Sequence, residues 1–366
     1  MNTRRSTGSR FRMTRSHFIL SLLMCVVLLN EWISYTFTAL NWPVITSISE
    51  DNVRVLIAAD PQILSTQSEP HFPLSLLAVW DANRFVNRGF HLALWRTKPD
   101  IVVFLGDLLN DGSIASDTDF YSLAHHFRNL MHTPSYVKHA IFVPGDNDIG
   151  GEGTDKVTPH KVQRFYSVFS QSTTVQYKFI DFMQVRVMDD YKNLTGVLPY
   201  EDGRMRIILS HIPLLPITRT RIKQTVIKHH PSFIFSGHDH ESAHFAATKD
   251  KVLAQEFQML NEEGKIWEFE AFTSKLHEVM VPTCSYRMGK MHYGYGAAVI
   301  EKSGLIHYTV LWLPCRFTQL RVYLISLSVI FLFVLRNVVS FIKNHLVRVC
   351  QVAAITLLRN GLRFYP

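Results

Sequence analysis

The sequence predicts an α/β domain held between two apolar segments near the chain ends. Three observations carry that reading. Five short apolar runs each stop at a potential metal ligand. A long amphipathic stretch between the first two runs can return the chain as a crossover helix. Each end of the chain carries an apolar stretch whose outer flank is basic and free of acids.

Short apolar runs rich in β-branched residues and bounded by turn residues read as buried strands. Val53-Arg54-Val55-Leu56-Ile57 leads to Asp60 and Gln62, and Ile101 to Leu105 leads to Gly106-Asp107. Ala140 to Val143 leads to Gly145-Asp146-Asn147-Asp148. Arg206 to Leu209 leads to Ser210-His211, and Phe233 to Phe235 leads to Gly237-His238-Asp239-His240. A lone Asp behind a strand is usually a turn or cap residue. The same placement five times in one order is a different matter, because ligands gather beyond the carboxyl ends of strands in α/β sheets. Carboxylates and imidazoles delivered to one sheet edge make a transition-metal site.

Between these runs, Leu74 to Lys98 is expected to be a helix with Leu74, Leu77, Ala78, Phe85, Leu92 and Trp95 on one side. Thr158 to Phe169 is a second helix, after the Gly150-Gly151-Glu152-Gly153 loop, and Glu278 to Val281 reads as a strand.

The order Asp60-x-Gln62, Gly106-Asp107, Gly145-Asp146-Asn147-Asp148, Ser210-His211 and Gly237-His238-Asp239-His240 resembles the calcineurin-like metallophosphoesterases. A second stretch, Val281-Pro282-Thr283-Cys284-Ser285-Tyr286-Arg287-Met288-Gly289 followed by Gly294 to Ala298, resembles their membrane-bound branch, which includes post-GPI attachment to proteins factor 5 and two yeast relatives. The resemblance runs from Arg54 to Tyr308. It implies a metallophosphoesterase α/β/β/α sandwich with flanking transmembrane helices. It also implies two divalent metal ions, manganese favoured, with Asp60, Asp107 and His240 on one and Asp107, Asp146, His211 and His238 on the other. Such a pair clamps a phosphoryl group and activates a water. Three positions depart from the family pattern. Gln62 stands where a histidine ligand is usual, Asp146 where an asparagine ligand is usual, and Asn147 where the leaving-group acid is usual. Either Asp146 or Asn147 can be read as the ligand.

The net charge of +8 and the isoelectric point near 9.3 would suit a nucleic-acid binder, but the excess lies outside the domain. Arg4, Arg5, Arg10, Arg12 and Arg15 precede the first apolar segment, and Lys343, Arg348, Arg359 and Arg363 follow the last. The positive-inside rule then puts both termini in the cytosol, and nucleic acid is not an expected partner. The expected organisation is a basic cytosolic arm (1–16), a transmembrane anchor (17–40) and a lumenal metallophosphoesterase domain (41–316). A transmembrane helix (319–342) and a basic cytosolic tail (343–366) complete it. A cleaved signal peptide is the alternative reading of the first segment. Glu31 is expected at the lumenal interface or against a partner helix, and Val349 to Leu358 on the membrane surface. Asn193-Leu194-Thr195 is a glycosylation acceptor that suits a lumenal domain, and Cys284 and Cys315 form a possible disulfide.

The branch resemblance implies a membrane-anchored phosphodiesterase of the endoplasmic reticulum, its exit sites or the Golgi. Its substrate would be the glycosylphosphatidylinositol (GPI) lipid or GPI-anchored proteins, from which it removes ethanolamine phosphate. The alternative is a catalytically weak or dead metal-binding lumenal protein that binds GPI-anchored cargo.

Overall fold

In the computed structural model, residues 15–47, 49–65, 73–169, 173–186 and 203–361 are described. They fall into two compact units. One contains the chain ends, up to Ser34 and from Arg316 on; the other is Tyr35–Cys315.

Among the described residues the second unit has thirteen strands: β1 (Asn52–Ala58), β2 (Ile101–Leu105), β3 (His139–Val143), β4 (Thr174–Tyr177), β5 (Ile180–Gln184), β6 (Met205–Leu209), β7 (Phe233–Ser236), β8 (Ala243–Thr248), β9 (Glu256–Met259), β10 (Trp267–Glu270), β11 (Lys275–Met280), β12 (Gly294–Glu301) and β13 (Leu305–Trp312). They form two sheets, one ordered β10-β13-β12-β1-β2-β3 and the other β4-β5-β6-β7-β11-β8-β9. All five ligand-bearing runs are strands. β1, β2 and β3 are parallel neighbours, with Ala58 level with Phe104 and Leu105 with Val143. β6 and β7 are parallel neighbours in the other sheet, with Leu209 level with Phe235. Their carboxyl ends are therefore flush within each sheet.

Period-two alternation packs the sheets face to face. Val53, Val55 and Ile57 of β1 and Ile101, Val103 and Leu105 of β2 meet Ile207 and Leu209 of β6 and Phe233 and Phe235 of β7 in one buried core. Fully burying such a side chain contributes roughly 1.5–3 kcal/mol.

The helices are α1 (Arg15–Leu28), α2 (Ser34–Asn41), α3 (Leu74–Thr97), α4 (Asp117–Leu130), α5 (Asp146–Ile149), α6 (Pro159–Val168), α7 (Thr220–His229) and α8 (Arg316–Gly361). α3 packs on the outer face of the first sheet, where Phe90 meets Phe104 at a ring separation of 5.6 Å. Ile222 and Val226 of α7 pack with Ile208 and Ile234 on the outer face of the second sheet. The result is the expected α/β/β/α sandwich. α6 begins after Thr158, whose hydroxyl caps Lys161 N.

The predicted face of α3 is only partly right, with Phe85 buried as expected. Leu74, Leu77 and Trp95 are exposed, and the buried residues are Ala82, Phe85, Val86, Gly89, Phe90, Ala93 and Leu94. Small side chains bring this helix close to the sheet: a Cβ on Gly89 would lie 2.8 Å from Leu313 Cδ1. Large apolar residues were therefore a poor guide to its inner face. Cys284 and Cys315 are not joined to each other, so the possible disulfide is absent. The glycosylation acceptor at Asn193 lies outside the described residues.

In the terminal unit, α1 passes through a π-helical turn (Leu29–Ile33). Ser16–Asn41 and Arg316–Thr356 are each long and apolar enough to cross a membrane. α8 runs unbroken for 46 residues, roughly 70 Å at 1.5 Å per residue. The separate surface patch expected at Val349 to Leu358 belongs to this same helix. Glu31 faces α8: Arg316 NH1 and the Tyr323 hydroxyl donate to Glu31 Oε1 at 2.8 and 2.9 Å. Asn30 and Gln319 exchange amide hydrogen bonds with each other's backbone carbonyls at 3.1 and 3.0 Å. A buried ion pair of this kind is tolerated when its remaining polar valences are filled.

One histidine of the sandwich makes stability depend on pH. His229 is buried, and neither ring nitrogen has a hydrogen-bond partner. Burial, with Arg206, Lys228 and His230 nearby, pushes its pKa down to about 4. The unfolded chain therefore binds a proton that the folded protein refuses. The contribution is complete above pH 6.5 and is lost as pH falls toward 4, on the order of 3 kcal/mol. Denaturant unfolding at pH 7.5 and pH 5 should show a smaller acid loss for His229→Leu than for the unsubstituted protein. Equal losses would contradict this.

Candidate metal centre

The flush strand ends continue into backbone that most residues avoid. Asp60, Gln62, Asp107, His238 and His240 all have positive φ, at 49°, 41°, 49°, 76° and 63°. Non-glycine residues in this region cost about 1–3 kcal/mol each and persist where the surroundings dictate them. Glycines make the close approaches possible. Gly106 has φ of 90°, and a Cβ there would stand 2.4 Å from His211 Nδ1. At Gly145 a Cβ would meet Asp107 Oδ1 at 2.1 Å.

His211 is the hub. Its Nδ1 donates to Leu105 O at 2.8 Å, which fixes the tautomer and leaves Nε2 as the free lone pair. That Nε2 lies 2.9 Å from Asp146 Oδ1, 3.4 Å from Asp107 Oδ1 and 3.1 Å from His238 Nδ1. His238 Nδ1 is in turn 3.1 Å from Asp146 Oδ1. Two triads result, Asp146–His211–His238 and Asp60–Asp107–His211, each with its donor atoms within 4.8 Å of one another.

Electrostatics favour a cation here. Asp60 Oδ1 is fully buried and accepts no hydrogen bond. Burial, with Asp107 adding to it, raises the Asp60 pKa to about 7. Asp107 is raised by burial and by Asp146. His211 is pushed up to about 10 against its own burial, because Asp107, Asp146 and Asp60 surround it. His211 can carry one positive charge against these three carboxylates. Oxygen and neutral imidazole donors in this mixture suit borderline divalent ions, so the residues fit a pair of metals.

Of the six predicted ligands, Asp60, Asp107, Asp146, His211 and His238 come together. His240 is half-buried and lies outside both triads; burial and the nearby His238, His211 and Lys290 lower its pKa to about 4. Asn147 donates to Asp107 twice, from its backbone N and from Nδ2, both at 2.9 Å. Gln62 Nε2 approaches the same carboxylate at 3.2 Å. Both departures from the family pattern thus brace Asp107.

Sequence reasoning missed two supporting carboxylates. Asp148 accepts from Leu108 N, Leu109 N and Gly145 N at 3.1, 3.0 and 2.9 Å, fastening the loop behind Asp107. Glu278 accepts from Leu214 N and Leu215 N at 2.8 and 2.7 Å, fastening the loop behind His211. An acid at the head of the apolar run Val279-Met280-Val281 was the available signal for Glu278.

The calcineurin-like phosphoesterase family profile matches residues 53–242. The chain belongs to this family. The phosphoesterase is similar to Metallophosphoesterase 1 of Pongo abelii, with 26% identity over 177 residues, 46% of this chain and 43% of that one. It is similar to the Metallophosphoesterase 1 homolog of Drosophila melanogaster, at 23% over 324 residues, 79% of this chain and 77% of that one. Cell division control protein 1 of Saccharomyces cerevisiae is 22% identical over 279 residues, 64% of this chain and 53% of the yeast protein. The phosphoesterase thus spans less than half the length of the Pongo abelii relative. Among solved structures, purple acid phosphatase from yellow lupin seeds aligns with 74% of this chain and 52% of its own, at 13% identity and a TM-score of 0.46.

Gly106→Ala should weaken binding of divalent metal at least about tenfold, because the added Cβ displaces the His211 ring and φ is positive there. Calorimetric titration with manganese would test this; unchanged binding would contradict the assigned role of His211.

Proposed function

We propose that this chain is a membrane-anchored dimetal phosphodiesterase of the early secretory pathway. The observation that carries the enzyme reading is the convergence of five carboxylate and imidazole side chains in two triads, with Asp60 Oδ1 fully buried and accepting no hydrogen bond. Asp60 and Asp107 would hold one ion, and Asp146, His211 and His238 the other, with Asp107 between them. His240 completes the set by resemblance. When bound, two cations, manganese being our choice, would polarise the phosphoryl oxygens and acidify the attacking water. The chain's own contribution is pre-organisation. Leu105 O keeps the His211 lone pair aimed inward, Asn147 and Gln62 brace Asp107, and Asp148 and Glu278 hold the two ligand loops. Such fixed dipoles and charges need no rearrangement as charge develops on the phosphoryl group.

The substrate reading rests on the resemblance at 281–298 and on the two apolar terminal helices. A catalytic domain tethered to a membrane suits a substrate that is itself lipid-anchored, and the branch resemblance makes that substrate the ethanolamine-phosphate side chain of a GPI anchor. Basic flanks on both apolar segments support cytosolic termini and a lumenal domain at the endoplasmic reticulum, its exit sites or the Golgi.

One observation favours a second reading, a metal-binding protein that engages GPI-anchored cargo with little or no turnover. The Asn147 side chain, at the position of the family's acid, is spent on Asp107. General acid catalysis is worth about 10²–10⁴ in rate.

The full chain in detergent, loaded with manganese, should hydrolyse phosphodiesters, including a GPI lipid bearing ethanolamine phosphate. Asp107→Ala should cut the rate by about 10³-fold or more, since the resemblance puts that carboxylate on both ions and it lies 3.4 Å from His211 Nε2, the ring common to the two triads. Metal binding without turnover on any diester would overturn the enzyme reading in favour of the cargo-binding one.

A further inference from the structure

The segment after β11 carries no ligand, yet it is built against one. Val281 N donates to Ser236 O at 2.7 Å, at the end of β7. Thr283 pairs in parallel with Ala59, and Cys284 N donates to Ala59 O at 3.0 Å. The Thr283 side chain is fully buried, and its hydroxyl donates to Asp60 O at 3.0 Å while accepting from Ser285 N at 3.1 Å. The segment is then fixed to α3, where the Tyr286 hydroxyl donates to Asp81 Oδ2 at 2.9 Å. Farther on, Lys290 pairs with Glu241, the residue after His240.

We propose that Thr283 is a positioning residue for the metal ligand Asp60, and that residues 283–290 form a brace for the metal of the Asp60–Asp107 triad. The inference rests on the dimetal reading above. Asp60 is held at a φ of 49°, a conformation a non-glycine residue keeps only when its surroundings over-determine it. Thr283 Oγ1 grips the peptide carbonyl of Asp60, the atom whose rotation would redirect the following chain and the carboxylate with it. Ala59 is gripped by the same two residues. Among the described residues, the His238 N–H, at 3.3 Å on Oδ2, is the only hydrogen-bond donor to the Asp60 carboxylate. Its backbone is therefore what aims it. A valine at 283 matches threonine in shape but has no hydroxyl, and a serine keeps the hydroxyl.

The test is manganese titration of the full chain in detergent, by calorimetry and by electron paramagnetic resonance of free manganese. The unsubstituted protein is expected to take two ions. Thr283→Val should weaken one of them by about 10–100-fold, the usual effect of losing a partner that orients a ligand, and leave the other within about threefold. Thr283→Ser should stay within about threefold of the unsubstituted protein at both. Thr283→Ala gives the same comparison if the valine disturbs folding, with near-ultraviolet circular dichroism reporting on the fold. Valine and alanine variants that titrate like the unsubstituted protein, or a serine variant as impaired as the valine one, would overturn the brace while leaving the dimetal site standing. An unsubstituted protein that takes no metal would overturn the site itself.

Discussion

The hydrogen bond from His211 Nδ1 to Leu105 O joins the two sheets of the sandwich at the point where chemistry is possible. Leu105 ends a strand of one sheet, and His211 follows a strand of the other. The bond settles which imidazole nitrogen keeps its proton. It also turns the other nitrogen toward two carboxylates, Asp107 and Asp146, that would otherwise share a dry pocket unopposed. Much of the surrounding construction serves to let this bond form: the glycine at 106 that leaves room for the ring, and the Glu278 carboxylate that fastens the loop behind it. Removing charge from water is costly unless it is paired or bound to metal. A cluster of this kind is therefore a stability liability accepted for function, and the five positive-φ motif residues add to it.

The fold and most of the site were legible in the sequence for one physical reason. Strands buried on both faces must be continuously apolar, so the first polar residues after each run stand out. That is why β1, β2, β3, β6 and β7 could be read, and why the candidate ligands behind them stood out. The inner face of α3 could not, because Ala82, Gly89 and Ala93 let the backbone itself approach the sheet and left Leu74 and Trp95 outside. The length of α8 was also missed. Lys343 and Arg348 suggest an end to a membrane span, but neither breaks a helix. The roles of Gln62 and Asn147 depend on where Asp107 sits in three dimensions, and no local pattern encodes that distance.

These two residues bear on how the site could work. In the family pattern their positions are histidines; here both are neutral amides directed at the Asp107 carboxylate. Asp146, with one more negative charge than the usual asparagine, faces His211 and His238. The substitutions together move charge onto one side of the centre and add hydrogen bonds to its middle. That arrangement leaves amides in place of titratable imidazoles beside Asp107.

The central claim is that Asp107 lies between two metal ions. Electron paramagnetic resonance of the full chain loaded with manganese addresses it directly. A bridged pair gives a spin-coupled, many-line spectrum whose intensity falls on cooling toward a diamagnetic ground state. The account predicts that signal. Two isolated six-line signals, or a single ion per chain at saturation, would contradict it.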